Sequence, residues 1–263
     1  MRVLGLRYGF ASTRADALLT ALFTDIHGNR EALEACLAHA RAHPIDRHVF
    51  LGDYVGYGAD PGFAVDTVRE FVARGAIALI GNHDSAAAGR RERMNEEAAL
   101  AIDWTRTQLT REQVDFLAAR PFTLEQDGDL FVHASADEPA HWDYILDETA
   151  AARNFTATRA ERTFCGHTHV PALFHLSIAG KLAGFEPVAG VATPLTAQRR
   201  WVAVVGSVGQ PRDRNPAACY ALYDDVTRQL TYQRVPYDIE AAQAKIRAAG
   251  LPLFLSARLA WGR

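Results

Sequence analysis

Between residues 18 and 80, three short apolar runs alternate with two amphipathic stretches, and each run stops at a polar cluster. Residues 18–24 read as a buried strand ending at Asp25. Residues 29–42 read as a helix, with Ala32, Leu33, Cys36, Leu37 and Ala40 at helical spacing. A second strand, 48–51, closes on Gly52-Asp53. Asp60 offers an N-cap and Pro61 the first position of a helix running to about Arg74, ahead of Gly75. A third strand, 76–80, closes on Gly81-Asn82. Strands separated by whole helices pair in parallel through right-handed crossovers. That constraint sends the carboxyl ends of all three strands, with their polar clusters, to one edge of a sheet, where open α/β folds bind their ligands.

The rest of the chain changes character. A helical pattern over 94–119 is split near Thr110. Residues 122–126 and 130–133 flank Asp127-Gly128, a hairpin turn signal. Further strands are expected at 163–165, 172–177, 201–205, 219–223 and 229–235, with Asp224-Asp225 turning the last pair and a closing helix over 238–249 stopped by Gly250. A parallel half followed by a mixed half predicts an α/β architecture of two facing mixed sheets with helices outside. The chain is 49% hydrophobic and 22% charged, enough to fill such a core and to exclude disordered, collagen-like and coiled-coil classes. Residues 1–16 are expected to form an N-terminal extension, packing as an added edge strand through Val3, Leu4 and Leu6, ahead of one domain over 17–263.

Five polar clusters carry the chemistry: Asp25-Ile26-His27, Gly52-Asp53, Gly81-Asn82-His83-Asp84, Val132-His133 and Gly166-His167-Thr168-His169. Together they make a nitrogen-and-oxygen pocket without thiolates, suited to zinc, iron, nickel or manganese rather than calcium. They offer more ligands than one tetrahedral ion accepts, and two ions bridged by a carboxylate use them all. Cys36, Cys165 and Cys219 lie far apart, which excludes a disulfide framework and a zinc–thiolate site and fits a reducing compartment. No apolar run approaches the 18 or so residues of a membrane helix, and Arg2, Arg7, Arg14 and Asp16 interrupt any signal-peptide core. A cytoplasmic protein is expected, and its net charge of −3 argues against a nucleic-acid partner.

The blocks D-x-H, G-D, G-N-H-D, H and G-H-x-H, in this order, resemble those of the calcineurin-like metallophosphoesterases. The stretches DIHGNREALEACL, LGDYVGYGADP, FCGHTHVP and VGSVGQPRD are similar to one bacterial branch of phosphodiesterase or diadenosine-tetraphosphatase-like members, from Leu18 to the C-terminus. The resemblance implies a four-layer α/β/β/α sandwich and two divalent ions (manganese, iron, zinc, nickel or magnesium). It assigns Asp25, His27 and His169 to one ion, Asn82, His133 and His167 to the other, and Asp53 to the bridge. His83 becomes the general acid, with Asp84 orienting it. The implied reaction is hydrolysis of a small phosphomonoester, phosphodiester or dinucleoside polyphosphate by metal-activated hydroxide. Two alternatives stand beside it: a non-catalytic metal-binding interaction scaffold on the same fold, and a protein Ser/Thr phosphatase.

Departures from the family pattern bear on these alternatives. Phosphoprotein phosphatases carry G-D-x-V-D-R-G, whose second Asp and Arg are Gly56 and Tyr57 here. This disfavours the phosphoprotein reading and leaves the phosphate to another cation, for which Arg212 is the candidate. Ala134 replaces a frequent Gly after His133, and Val204 replaces a frequent Asn before G-S-V-G. The His141–Tyr144 stretch is read as either an aromatic face for substrate or packing. His39 and His43 share a helix face near its C-terminus and are read as solvated rather than as ligands.

Overall fold

The parallel pattern of residues 18–80 is realised in a computed structural model describing residues 18–263; the edge strand expected within residues 1–16 lies outside the described residues. Strands β1 (Leu19–Phe23), β2 (Arg47–Phe50) and β3 (Ile77–Ala78) are joined by helices α1 (Arg30–Ala40) and α2 (Pro61–Ala73). Helices α3 (Asn82–Ala87), α4 (Glu96–Gln108) and α5 (Arg111–Ala118) follow, then the hairpin β4 (Thr123–Gln126) and β5 (Asp129–Val132). Helix α6 (Glu148–Ala157) leads to β6 (Arg162–Cys165), β7 (Ala172–Ser177), β8 (Leu182–Phe185), β9 (Thr193–Pro194) and β10 (Arg199–Val204). The chain ends with β11 (Ala218–Asp224), β12 (Gln229–Val235), α7 (Ile239–Ala248) and α8 (Leu253–Trp261).

Two six-stranded sheets result, ordered β3-β2-β1-β11-β12-β9 and β4-β5-β6-β10-β7-β8. In the first, β1, β2 and β3 are parallel, and β11 continues antiparallel from β1. The second has its own parallel trio, β5, β6 and β10, flanked by antiparallel neighbours. The two parallel trios give the fold two ligand-bearing edges, and the edges face each other.

Period-two alternation explains why the sheets stack. Along β11, Ala218, Tyr220 and Leu222 join the core beneath α1 and α2, while Cys219, Ala221 and Tyr223 join the core between the sheets. Phe131, Phe164, Trp201 and Leu22 fill that central layer, and α6 covers the outer face of the second sheet through Ala151 and Phe155. Helix, sheet, sheet, helix is the expected four-layer sandwich.

Local signals account for most boundaries. Thr110 caps α5 through the Gln113 N–H while Gln113 returns a bond to the Thr110 N–H, so the split in the 94–119 pattern is a capping box. Asp127 and Gly128 take φ of 54° and 80°, as a two-residue hairpin turn requires. Asp60 departs from its expected role: it precedes α2 but makes no side-chain cap bond, and its carboxylate binds Lys245 Nζ on α7 at 2.7 Å. β3 is shorter than expected, although the Leu79 N–H still donates to the Phe50 carbonyl; the Ile80 N–H, on the open edge, donates to the Pro121 carbonyl. The sequence reading omits α3, α6, β8, β9 and α8. All six residues of α3 are buried, so no amphipathic period marks it.

Phe164 stacks on Phe131 with ring centroids 5.7 Å apart and lies 5.2 Å from the Tyr223 ring. Phe164→Ala is expected to cost about 3–5 kcal/mol in denaturant unfolding. Ile178, 87% exposed in the turn after β7, should shift stability by less than about 0.5 kcal/mol on truncation to Ala. Equal effects from the two would contradict a packed inter-sheet layer.

Candidate metal centre

The loops after the parallel strands are laced together by backbone hydrogen bonds. Asp25 N–H donates to the Gly52 carbonyl, His27 N–H to Asp53 and Gly28 N–H to Tyr54. The crossing is tight enough to demand glycine at two motif positions. A Cβ on Gly81 would lie 2.1 Å from Asp53 Oδ1, and one on Gly166 would lie 2.4 Å from Asp25 Oδ2. Five of the seven expected ligands take positive φ: Asp25, His27, Asp53, His167 and His169, between 51° and 68°. Non-glycine residues persist there only when their surroundings over-determine them, a condition met mainly at functional sites.

This backbone brings all seven expected ligands together, buried. Asp25 Oδ2 accepts from Thr24 Oγ1 and the His167 N–H, leaving Oδ1 without a hydrogen-bond partner, 3.2 Å from His169 Nε2 and 3.7 Å from His27 Nε2. Asp53 Oδ1 accepts the His83 N–H, and Oδ2 lies 3.7 Å from His27 Nε2 and 3.4 Å from His133 Nε2. Asp25, His27 and His169 form one cluster within ion-coordinating reach, Asp53, His133 and His167 form a second, and His27, Asp53 and His83 form a third between them. Asn82 Oδ1 is buried without a partner.

Hydrogen bonding fixes the tautomers. Backbone carbonyls only accept, so His27, His133 and His169 carry their protons on Nδ1, bonded to Val55, Leu51 and Gln210 at 3.0, 2.9 and 2.6 Å. The Nε2 lone pairs of His27 and His169 then face each other at 3.1 Å. Two lone pairs at that distance repel unless a cation lies between them, so this donor set fits a metal ion. Burial, aided by neighbouring cations, holds His27 and His169 below the usual imidazole range, and burial with His133 pushes His167 down to about 3. These are neutral, ligating forms. For His133, burial pulls down, but Asp53 together with Asp25 and Asp84 outweighs it, raising the ring to about 9. Burial also disfavours charge on Asp25 and Asp53, yet the charged His133 ring, joined at Asp25 by the Thr24 hydroxyl, helps keep both well below the usual carboxylate range.

His83 and Asp84 separate here. The His83 ring lies edge-on to His27 at 4.8 Å and beside Tyr57 at 4.5 Å, and its Nδ1 is buried with no partner. A Cβ on Gly56 would lie 2.3 Å from that nitrogen, so the absent side chain makes room for the ring. Burial pushes His83 down to about 4, against the pull of Asp53. Asp84 does not orient it, contrary to expectation. Its two oxygens accept the backbone N–H groups of Asp53, Gly81, Tyr54 and Val55 at 2.7–3.3 Å. It ties the second strand's loop to α3, while burial and Asp53 push its carboxyl up to about 8.

Arg212 lines the same cleft as Asn82, His83, His167 and His169. Within 135–146, His141 turns outward to Glu138, and Trp142 donates Nε1–H to Glu92 while standing edge-on to His133. Tyr144 stacks on His167 at 4.2 Å and is 46% exposed. The sequence reading assigned no role to Tyr57, packed on both His27 and His83, or to Arg93, which lines the cleft; Arg93 carries no motif signal. Val204 is core, far from any ligand role. His39 Nδ1 bonds Tyr220 OH at 2.8 Å, which accounts for it without a metal.

Two sheets whose parallel strand ends converge on paired His/Asp clusters define a metallophosphoesterase sandwich. A family model for the calcineurin-like phosphoesterase superfamily domain matches residues 18–228, and the chain belongs to that family. An uncharacterized protein of Methanocaldococcus jannaschii is 33% identical over 252 residues, covering 93% of this chain and 98% of its own length. The crystal structure of a metallophosphoesterase from Sphaerobacter thermophilus is 36% identical with a TM-score of 0.83, covering 94% of this chain and 100% of that one. A hypothetical protein from Pyrococcus horikoshii shares the fold at 20% identity and a TM-score of 0.74, over 94% of this chain and 99% of that one. The protein is therefore a hydrolase acting on phosphoester bonds, and it carries clustered metal-ligand residues. Among the described residues no helix is long and apolar enough to cross a membrane.

An ion bound only by the folded state raises stability, by about 2.7 kcal/mol at one hundred times its Kd. Thermal unfolding of metal-stripped protein should shift upward on adding manganese, and His169→Ala should shrink the shift. An unchanged midpoint in the parent protein would argue against metal binding here.

Proposed function

We propose that the protein is a dinuclear metal-dependent phosphohydrolase. It cleaves a small phosphomonoester, phosphodiester or dinucleoside polyphosphate by in-line displacement, with no covalent enzyme intermediate. The observation that carries this reading is Asp53 Oδ2, one oxygen set between His27 of the first cluster and His133 of the second. Asp25, His27 and His169 are the ligands of one ion and Asn82, His133 and His167 those of the other, with Asp53 shared. Divalent ions in two such sites supply positive charge to the phosphoryl oxygens and lower the pKa of an attacking water.

The protein's own groups do the remaining work. The carbonyls of Val55, Leu51 and Gln210 keep three imidazoles in the tautomer that presents Nε2. His83 lines the cleft beside the ligands, and with Nδ1 shut against Gly56 it delivers a proton to the leaving oxygen from Nε2. The negative charge of an arriving phosphate ester favours the imidazolium this step needs. Arg212 offers its guanidinium to the phosphoryl oxygens. Oxygen and nitrogen donors without thiolate suit manganese, iron, zinc or nickel.

Asp53→Asn should lose metal and activity together, by more than about 100-fold, since outer-shell partners alone cost 10–100-fold. A variant with both ions and normal turnover would remove the bridge from this scheme. His83→Ala should keep its metal and lower kcat by about 10²–10⁴-fold on an alkyl phosphate. The loss should be much smaller on nitrophenyl phosphate, whose leaving group departs without protonation. Equal, small losses on both substrates would exclude proton delivery by His83.

A further inference from the structure

The loop after β10 serves the ligand set and the cleft through one residue. Ser207 Oγ donates to the Asp25 carbonyl and accepts the Gln210 N–H. The Val208 and Gly209 N–H groups donate to the carbonyls of Thr24 and Asp25, and Asn29 Nδ2 donates to the Gly209 carbonyl. Gln210 is thus fixed against the loop after β1, with only 1% of its surface exposed. Its carbonyl accepts His169 Nδ1, as described above. Its side-chain Oε1 accepts from Arg212, from Nη2 at 2.8 Å and Nε at 3.3 Å.

That second bond has a consequence for charge. Among the described residues, no carboxylate lies within 4.0 Å of the Arg212 guanidinium, and its polar side-chain neighbours are the neutral Gln210 and Tyr57. One amide oxygen covers the Nε–Nη2 edge, leaving the Nη1–Nη2 end of the fork for a ligand in the cleft. The Tyr57 ring, 5.8 Å from Cζ, borders the guanidinium as well. A carboxylate in place of the amide would orient the guanidinium equally well but would cancel its charge. A neutral acceptor orients without neutralising, which suits a group meant to grip a phosphoryl oxygen pair.

We propose that Gln210 is a positioning residue: it aims Arg212 into the cleft and keeps its full charge available, biasing the site toward the more highly charged phosphoryl group. This rests on the reading of Arg212 as the phosphate grip. The test is calorimetric titration with inorganic phosphate, alongside kinetics on nitrophenyl phosphate, a dianion, and bis(nitrophenyl) phosphate, a monoanion. The proteins are the parent, Gln210→Ala, Gln210→Glu, Arg212→Ala and the double Ala variant, each checked for metal content. Gln210→Ala should weaken phosphate binding and raise KM by about three- to tenfold, with the change in KM rather than kcat. It should cost nothing further once Arg212 is Ala. Gln210→Glu should weaken nitrophenyl phosphate more than the diester. Equal losses from Gln210→Ala with and without Arg212, an unchanged substrate preference in Gln210→Glu, or metal loss in Gln210→Ala would each overturn the proposal. Phosphate binding unaffected by Arg212→Ala would instead remove the reading on which it rests.

Discussion

Asp53 faces both halves of the molecule at once. Its Oδ2 lies between His27, from the first sheet, and His133, from the second. Its Oδ1 holds the His83 N–H, and its own N–H is held by Asp84. A carboxylate in that position requires that the two stacked sheets bring their parallel strand ends to the same side, that Gly81 carry no side chain, and that Asp53 itself take a left-handed backbone. The inter-sheet core of Phe131, Phe164, Trp201 and their neighbours supplies the rigid spacing that keeps all three conditions satisfied.

Such an arrangement is costly, and the cost explains the surrounding polar network. Three buried carboxyl groups and several buried imidazoles would be strongly unfavourable without partners. Backbone groups therefore hold most of them. Asp25 bonds Thr24 and the His167 N–H, Asp84 takes four amides, and three histidines donate to carbonyls. Among the buried side-chain atoms left without a hydrogen-bond partner, Asp25 Oδ1, Asn82 Oδ1, His83 Nδ1 and His167 Nε2 gather around one cleft. Four such atoms around a single cleft mark where stability has been traded for binding.

Much of this was legible before any coordinates. Helix-separated apolar runs dictated the first parallel trio, and Thr110 and Asp127-Gly128 marked a helix break and a hairpin through local capping and turn chemistry alone. Elements with no local signature were not legible. α3 is buried on every side, and β8 and β9 lie at sheet edges where little core pattern is imposed. Asp60 carried an N-cap signal and was recruited by Lys245, because a distant cation competed for its carboxylate.

At the site, residue types and their order were enough to nominate Asp25, His27, Asp53, Asn82, His133, His167 and His169. Metal-ligand chemistry selects few side chains, and the glycines beside them mark tight turns. What each neighbour does was decided only in three dimensions. Asp84 follows His83 in the chain yet serves the amides of another loop, while Gln210, given no role by the stretch it sits in, holds both His169 and Arg212. The sequence determined which atoms were available to bind; the tertiary structure decided which of them remained free. Hydrogen-bond partners are assigned across distances in the chain that no local pattern records.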